Sequence, residues 1–135
     1  MMRVLFVTNN FPPDYTGGAE VSLYHTCRGL MADGVACRVL HANNRRNGTD
    51  DDYQDVDGIP VHRVQFGARW PWNDIVDPRI TAIVRREIRS FRPDLVHIHN
   101  VSGASLAPFV ACRQEGAPAV CTLHDHWLLC PNNML

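Results

Sequence analysis

Arg3-Val4-Leu5-Phe6-Val7-Thr8, then Asn9-Asn10-Phe11-Pro12-Pro13, then Gly17-Gly18-Ala19-Glu20, is the stretch on which the reading of the chain turns. The first six residues are apolar, β-branched or aromatic in an unbroken run, the pattern of a strand buried on both faces of a parallel sheet. Pro12, Pro13, Gly17 and Gly18 forbid regular structure in the loop that follows. Beyond it, Leu23, Cys27, Leu30 and Met31 stand at i, i+4, i+7 and i+8. That spacing predicts a helix over Ala19–Asp33 with one apolar face, and Gly34 is well suited to end it. A buried strand passing through a glycine loop into a helix is the opening of an α/β unit.

The same alternation continues outward. Val35–His41 reads as a second strand and Ile59–Phe66 as a third. Between them, Asn43–Asp57 carries Arg45, Arg46 and Asp50-Asp51-Asp52 with few large apolar residues, and is expected to be a solvated loop. Asp77 and Pro78 suit the N-cap and first position of a second helix, whose apolar stripe is Ile80, Ile83, Val84, Ile88 and Phe91. Pro93 requires that helix to stop near Arg92. Asp94–His99 is a fourth strand. Ser102–Glu115 is a third helix, bent or delayed by Pro108 and closed by Gly116, and Pro118–Leu123 is a fifth strand. Strands alternating with helices of this length imply an α/β, Rossmann-like fold: a mainly parallel sheet, right-handed crossovers and helices on both faces. In such sheets ligands bind at the carboxyl ends of the strands. Asn9-Asn10, His99-Asn100 and His124-Asp125 each follow a strand directly.

Composition narrows the function. The 135 residues are enough for one domain, with 45% apolar and 20% charged residues. A net charge of -1 supplies no general attraction to nucleic acid, so no nucleic-acid partner is expected. No apolar run approaches the ~20 residues that span a bilayer, and the short apolar start lacks the features of a secretory signal, which implies a cytoplasmic protein. The five cysteines are odd in number and none are paired as Cys-x-x-Cys, which argues against a disulfide framework or a cysteine zinc site.

Two clusters carry chemistry. Gly17-Gly18 at a helix start combines close backbone approach with unpaired amides and a positive dipole end, a combination that suits a phosphate. It is neither the Gly-x-Gly-x-x-Gly of dinucleotide binders nor a P-loop, and no acid follows the second strand to hold a ribose, so NAD binding is disfavoured. The other reading of the glycines is a plain turn. His97 and His99 share one face of their strand, and His124 and His126 follow the fifth. They could ligate a metal with Cys130, or His97 could pack in the core while His99 and His124 face a cleft. No carboxylate-rich set accompanies them, and no metal is expected.

Arg3–Val7, Phe11-Pro12-Pro13 and Gly17-Gly18-Ala19-Glu20 resemble the opening of family 4 glycosyltransferases of the GT-B fold. Arg92–Asn100, with its Pro93-Asp94 and His97-Ile98-His99-Asn100, and Leu123–Pro131, with His124-Asp125-His126-Trp127, extend the resemblance to nearly the whole chain. The resemblance implies two Rossmann-like domains facing a cleft. Residues 1–135 correspond to the N-terminal, acceptor-side domain, incomplete, with the C-terminal donor-binding domain absent. It implies transfer of a sugar from a nucleotide-sugar donor with retention of configuration, no cofactor and no metal. Gly17 and Gly18 match the loop approaching the donor diphosphate. His124 matches a histidine contacting the donor sugar near the reacting carbon. His99 and Asn100 match positions lining the acceptor side. The acceptor is expected to be a sugar or a lipid-linked sugar, and the fragment alone to be inactive. The alternatives are a non-catalytic nucleotide- or sugar-phosphate-binding Rossmann module and a metal-dependent hydrolase. Phe66, Trp70 and Trp72 beside Arg63 and Arg69, with Arg85, Arg86, Arg89 and Arg92, raise peripheral contact with a membrane. An uncovered sheet edge, or exchange of Trp127–Leu135, raises a homodimer.

Overall fold

In the computed structural model, which describes residues 1–14, 17–46, 50–67, 75–100, 105–126 and 129, six strands and three helices alternate. They are β1 (Arg3–Thr8), α1 (Gly18–Ala32), β2 (Ala36–Arg46), β3 (Asp50–Val56), β4 (Ile59–Gly67), α2 (Pro78–Phe91), β5 (Leu95–His99), α3 (Ala107–Glu115) and β6 (Ala119–Thr122). They form one sheet in the order β3-β4-β2-β1-β5-β6. Every neighbouring pair is parallel except β3 and β4. The expected Rossmann-like architecture is therefore present.

Side chains alternate across a strand, and here the alternation sorts them into two cores. Leu5, Val7, Leu40, Ala42, Val64, Val96 and Ile98 pack with Ile80, Val84 and Ile88 of α2 and Ala107 and Ala111 of α3. Val4, Phe6, Cys37, Val39, Ile59 and Val61 pack on the other face with Phe11 and with Leu23 and Cys27 of α1. Each fully buried Leu or Phe contributes about 1.5–3 kcal/mol by leaving water. The unbroken apolar run of β1 is thus explained by its central place, covered on both sides.

Local signals fix the helix ends. Asp77 caps α2 by accepting from the Arg79 amide at 2.9 Å, and Arg92 closes it in the left-handed region at φ 49°. Gly116, at φ 65°, closes α3. Pro108 lies in the first turn of α3, the position where a proline's missing N–H costs nothing, and the helix accordingly begins at Ala107 rather than near Ser102.

The expected loop over Asn43–Asp57 is corrected. β2 runs on to Arg46, and Asp50–Val56 forms β3, antiparallel to β4 and joined to it by Asp57-Gly58. Both turn residues have positive φ, 53° and 86°, as a two-residue primed hairpin requires. The acidic run does not prevent this strand because β3 is an edge and its carboxylates reach solvent or cations.

Candidate functional site

The same alternation that sorts the core also sorts the polar ends of the strands. Thr8, His41, Asn43, Arg63, Gln65, His97 and His99 occupy the positions in register with Phe6, Val39 and Val61, on the α1 face. On the other face the corresponding ends are Val7, Ala42, Val64 and Ile98, all apolar. Among the described side chains of these strands, the carboxyl edge is therefore polar on the face where α1 begins.

Gly17 is the N-cap of α1, in extended backbone with no capping side chain. Its amide is not available to a ligand, because it donates to Glu20 Oε2 at 2.9 Å. The expectation of unpaired amides narrows accordingly to Gly18, Ala19 and Glu20, which helix geometry leaves outside the intrahelical ladder. Among the described residues nothing lies within 4 Å of where a Gly18 side chain would begin, so their packing does not demand glycine there.

The loop after β1 is anchored from two strands. Thr8 Oγ1 donates to the Asn10 carbonyl at 2.9 Å, and Asn43 Nδ2 donates to the Asn9 carbonyl at 3.0 Å. Arg63 Nη1 donates to both carboxylate oxygens of Asp14, at 2.8 and 2.7 Å, and His41 Nδ1 lies 4.0 Å from the same carboxylate. Gln65 is 9% exposed, and among the described residues its Nε2 has no hydrogen-bond partner. Asp14, His41, Asn43 and Gln65 were not expected here, and Arg63, expected on a membrane-facing surface, instead pairs with Asp14. The available signal was a repeated polar-x-polar pattern at the strand ends: His41-Ala42-Asn43, Arg63-Val64-Gln65 and His97-Ile98-His99.

The histidines meet across β5 and β6. His97 Nε2 pairs with Thr122 Oγ1 at 2.7 Å, and His99 Nδ1 with His124 Nε2 at 2.9 Å. The His97 and His99 ring centroids are 4.1 Å apart, and both pack on Phe6. Burial, then the neighbouring His97 and His124, push His99 down to about 3. Burial and His124 likewise lower His97. Both rings are neutral at ordinary pH. His99 is 3% exposed, so it is enclosed rather than facing an open cleft, and Asn100, next to it at φ 38°, is half-buried. Among the described residues no group of three or more His, Cys, Asp or Glu is arranged to hold a metal. Cys27, Cys37, Cys112 and Cys121 are free thiols, and Cys130 lies outside the described residues.

A depression of about 360 Å³ opens beside His124, lined also by Leu123, Asp125, His126 and Leu129. A larger groove of about 660 Å³ lies elsewhere, between α1 and the β3–β4 hairpin. Two of its polar groups serve the hairpin itself: Asp55 accepts from the Gly58 amide, and Asp57 from the Tyr24 hydroxyl. The polar strand ends, not the larger volume, mark the candidate site. Of the basic residues considered for membrane contact, Arg85 and Arg89 both pair with Glu115, and Arg86 lies 3.7 Å from Asp51. Arg69, Trp70 and Trp72 lie outside the described residues, as does most of Trp127–Leu135. Among the described residues no helix is long and apolar enough to cross a membrane.

Known proteins resemble this chain. A solved structure described as trehalose-6-phosphate from E. coli bound with UDP-2-fluoro glucose superposes with a TM-score of 0.54 at 12% identity, over 90% of this chain and 32% of that one. An uncharacterized 42.6 kDa protein in the cps region of Klebsiella pneumoniae is 25% identical over 144 residues, covering 97% of this chain. The chain spans 39% of the length of that relative. The family model for the glycosyl transferase 4-like domain matches residues 17–133, from the cap of α1 past His124, and the chain belongs to that family.

Proposed function

We propose that this domain forms the acceptor-side half of a retaining glycosyltransferase that uses a nucleotide-sugar donor. The observation that carries the reading is the one-sided polar edge. The start of α1, the Asn9-Asn10 turn, Asn100 and His124 stand at the carboxyl ends of β1, β5 and β6, in a chain of glycosyl transferase 4-like sequence. The similarity to a structure bound with UDP-2-fluoro glucose supports a nucleotide-sugar as donor.

The assigned roles follow from the chemistry. Glycosyl transfer builds negative charge on a leaving diphosphate, and the amides and dipole at the start of α1 stabilise it as it grows. Gly17 and Gly18 permit that approach. His124 contacts the donor sugar near the reacting carbon and orients it by hydrogen bonding. Asn100, with His99 next to it, faces the acceptor, a sugar or lipid-linked sugar. Neither a cofactor nor a metal takes part. The protein works in the cytoplasm, with a membrane-bound acceptor bringing it to the inner surface.

The test is transfer by the full-length protein from a panel of nucleotide sugars, with product configuration read from the anomeric proton coupling. Retention is expected, unchanged in the presence of a chelator. Inversion would overturn the mechanism. Tight donor binding without transfer to any acceptor would leave a binding module instead.

A further inference from the structure

His99 is almost wholly enclosed, yet it reaches the candidate site through one contact. Its Nδ1 lies 2.9 Å from His124 Nε2. Its Nε2 is buried and, among the described residues, has no hydrogen-bond partner. A hydrogen bond between two imidazoles needs one N–H and one lone pair, so the two rings cannot present the same group to each other. Burial against Phe6 and His97 keeps His99 neutral, so it carries a single N–H.

Two arrangements satisfy the contact. If His99 carried its proton on Nε2, that N–H would be buried with nothing to accept it, and His124 would donate to His99. If His99 carries it on Nδ1, the proton lies in the observed hydrogen bond and only a lone pair is left without a partner. Orphaned buried N–H groups are the rarer and costlier of the two. We propose that His99 is a positioning residue which, by donating from Nδ1 to His124 Nε2, fixes His124 as the tautomer that carries its proton on Nδ1.

The consequence for transfer rests on the glycosyltransferase reading above. With Nε2 occupied as an acceptor, His124 has no lone pair left to take a proton from an acceptor hydroxyl. Its remaining ring nitrogen is an N–H, a permanent donor suited to a sugar oxygen. His99 therefore makes His124 a hydrogen-bond donor and withdraws it from general-base work. Sequence spacing alone could not show this pairing, because the two residues are 25 apart and meet only through the β5–β6 register of His99 with Thr122.

The assignment is read directly from long-range proton–nitrogen NMR spectra of the chain with ¹⁵N-labelled histidine, near neutral pH. His99 and His124 should both show a protonated Nδ1 and an unprotonated Nε2. In His99→Leu the donor is gone, and His124 should revert to the Nε2–H form that free histidine side chains prefer. In His99→Asn the amide N–H stands near the place of Nδ1, and the Nδ1–H form of His124 should persist. A proton on His124 Nε2 in the unaltered chain would overturn the proposal, as would an unchanged His124 tautomer in His99→Leu. Should His99→Leu fail to fold, the unaltered chain and His99→Asn decide alone. In the full-length enzyme, His99→Leu should lower kcat on the order of tenfold, the worth of about one hydrogen bond, with donor KM unchanged and His99→Asn restoring most of the loss. Flat kinetics together with the tautomer change would support the His99 assignment and overturn the sugar contact of His124.

Discussion

Gly18 opens α1 with no described residue near the place of its missing side chain, and that single fact separates stability from function at this residue. Gly18→Val should leave folding stability within about 0.5 kcal/mol, since nothing is displaced and the residue sits in the first helical turn. In the full-length enzyme the same branched side chain would occupy the space through which a diphosphate nears the helix amides. A loss in kcat/KM on the order of 100-fold is expected, comparable to the removal of one preorganised donor. Parallel thermal melts and steady-state kinetics check both halves, and unchanged kinetics would return Gly17-Gly18 to the role of a turn. At this scale the sequence showed the glycines, the His97-x-His99 alternation and the strand-end residues Asn100 and His124. It did not show that Glu20 occupies the Gly17 amide, because a side chain folding back three residues depends on the cap geometry.

Among the elements, the edge hairpin holds the largest misreading and the reason for it. Its signal was present in Asp57-Gly58, the turn dipeptide most suited to a two-residue hairpin, but the acidic run before it concealed a strand that needs no apolar face. Gly58 is at φ 86°, so Gly58→Val should destabilise the fold by about 1–2 kcal/mol, measurable as a lower denaturant midpoint. An unchanged midpoint would mean that the hairpin contributes nothing to global unfolding. A buried clamp ties this hairpin to α2. His62 Nδ1 lies 2.8 Å from Glu87 and Nε2 2.7 Å from Asp51, Arg38 pairs with Glu87, and Tyr53 stacks on the imidazole. Two carboxylates on one ring require an imidazolium. Burial opposes that charge, but the hydrogen bonds that His62 donates to Glu87 and Asp51 prevail and raise it. Burial alone would raise Glu87, yet His62 and Arg38 hold it below its usual range, and the His62 hydrogen bond lowers Asp51. A raised histidine stabilises fully below its unfolded value and loses that contribution as pH rises through the folded value. Lowered carboxylates stabilise fully above their unfolded values and lose it as pH falls. The clamp is therefore complete between roughly pH 4.5 and 6.5, set by the unfolded values of the three groups. His62→Leu leaves Glu87 buried without its imidazolium and should cost about 3 kcal/mol near pH 6, and less at pH 4 and at pH 9. Melting curves of both proteins at the three pH values test this, and a difference flat in pH would exclude the charged clamp.

At the scale of the whole molecule, the sheet separates support from function by face. The order of strands and helices predicted the Rossmann-like fold, because buried parallel strands and their crossovers leave a plain periodic pattern. Which face carries the site was less legible, since it depends on how the polar-x-polar ends of β2, β4 and β5 fall in register beside α1. Adjacent residues at the end of β4 turn that separation into a test. Val64 points into the core with α2 and α3, whereas Gln65 points to the α1 face with an unpartnered Nε2. Val64→Ala should cost about 2 kcal/mol of stability through lost burial and a residual cavity, and leave kcat/KM of the full-length enzyme nearly unchanged. Gln65→Ala removes a buried donor that makes no hydrogen bond among the described residues, so folding should suffer little or even gain. Its kinetic effect should be the larger, at least about tenfold in kcat/KM if that donor meets substrate. The two substitutions lie one residue apart on the same strand, so a general disturbance of β4 would affect both properties in both variants. Only a one-sided site gives the crossed result, with stability lost at Val64 and activity lost at Gln65. If Gln65→Ala left transfer intact, the polar edge on the β4 side would be excluded from the site, which would then narrow to β1, β5 and β6 around His124.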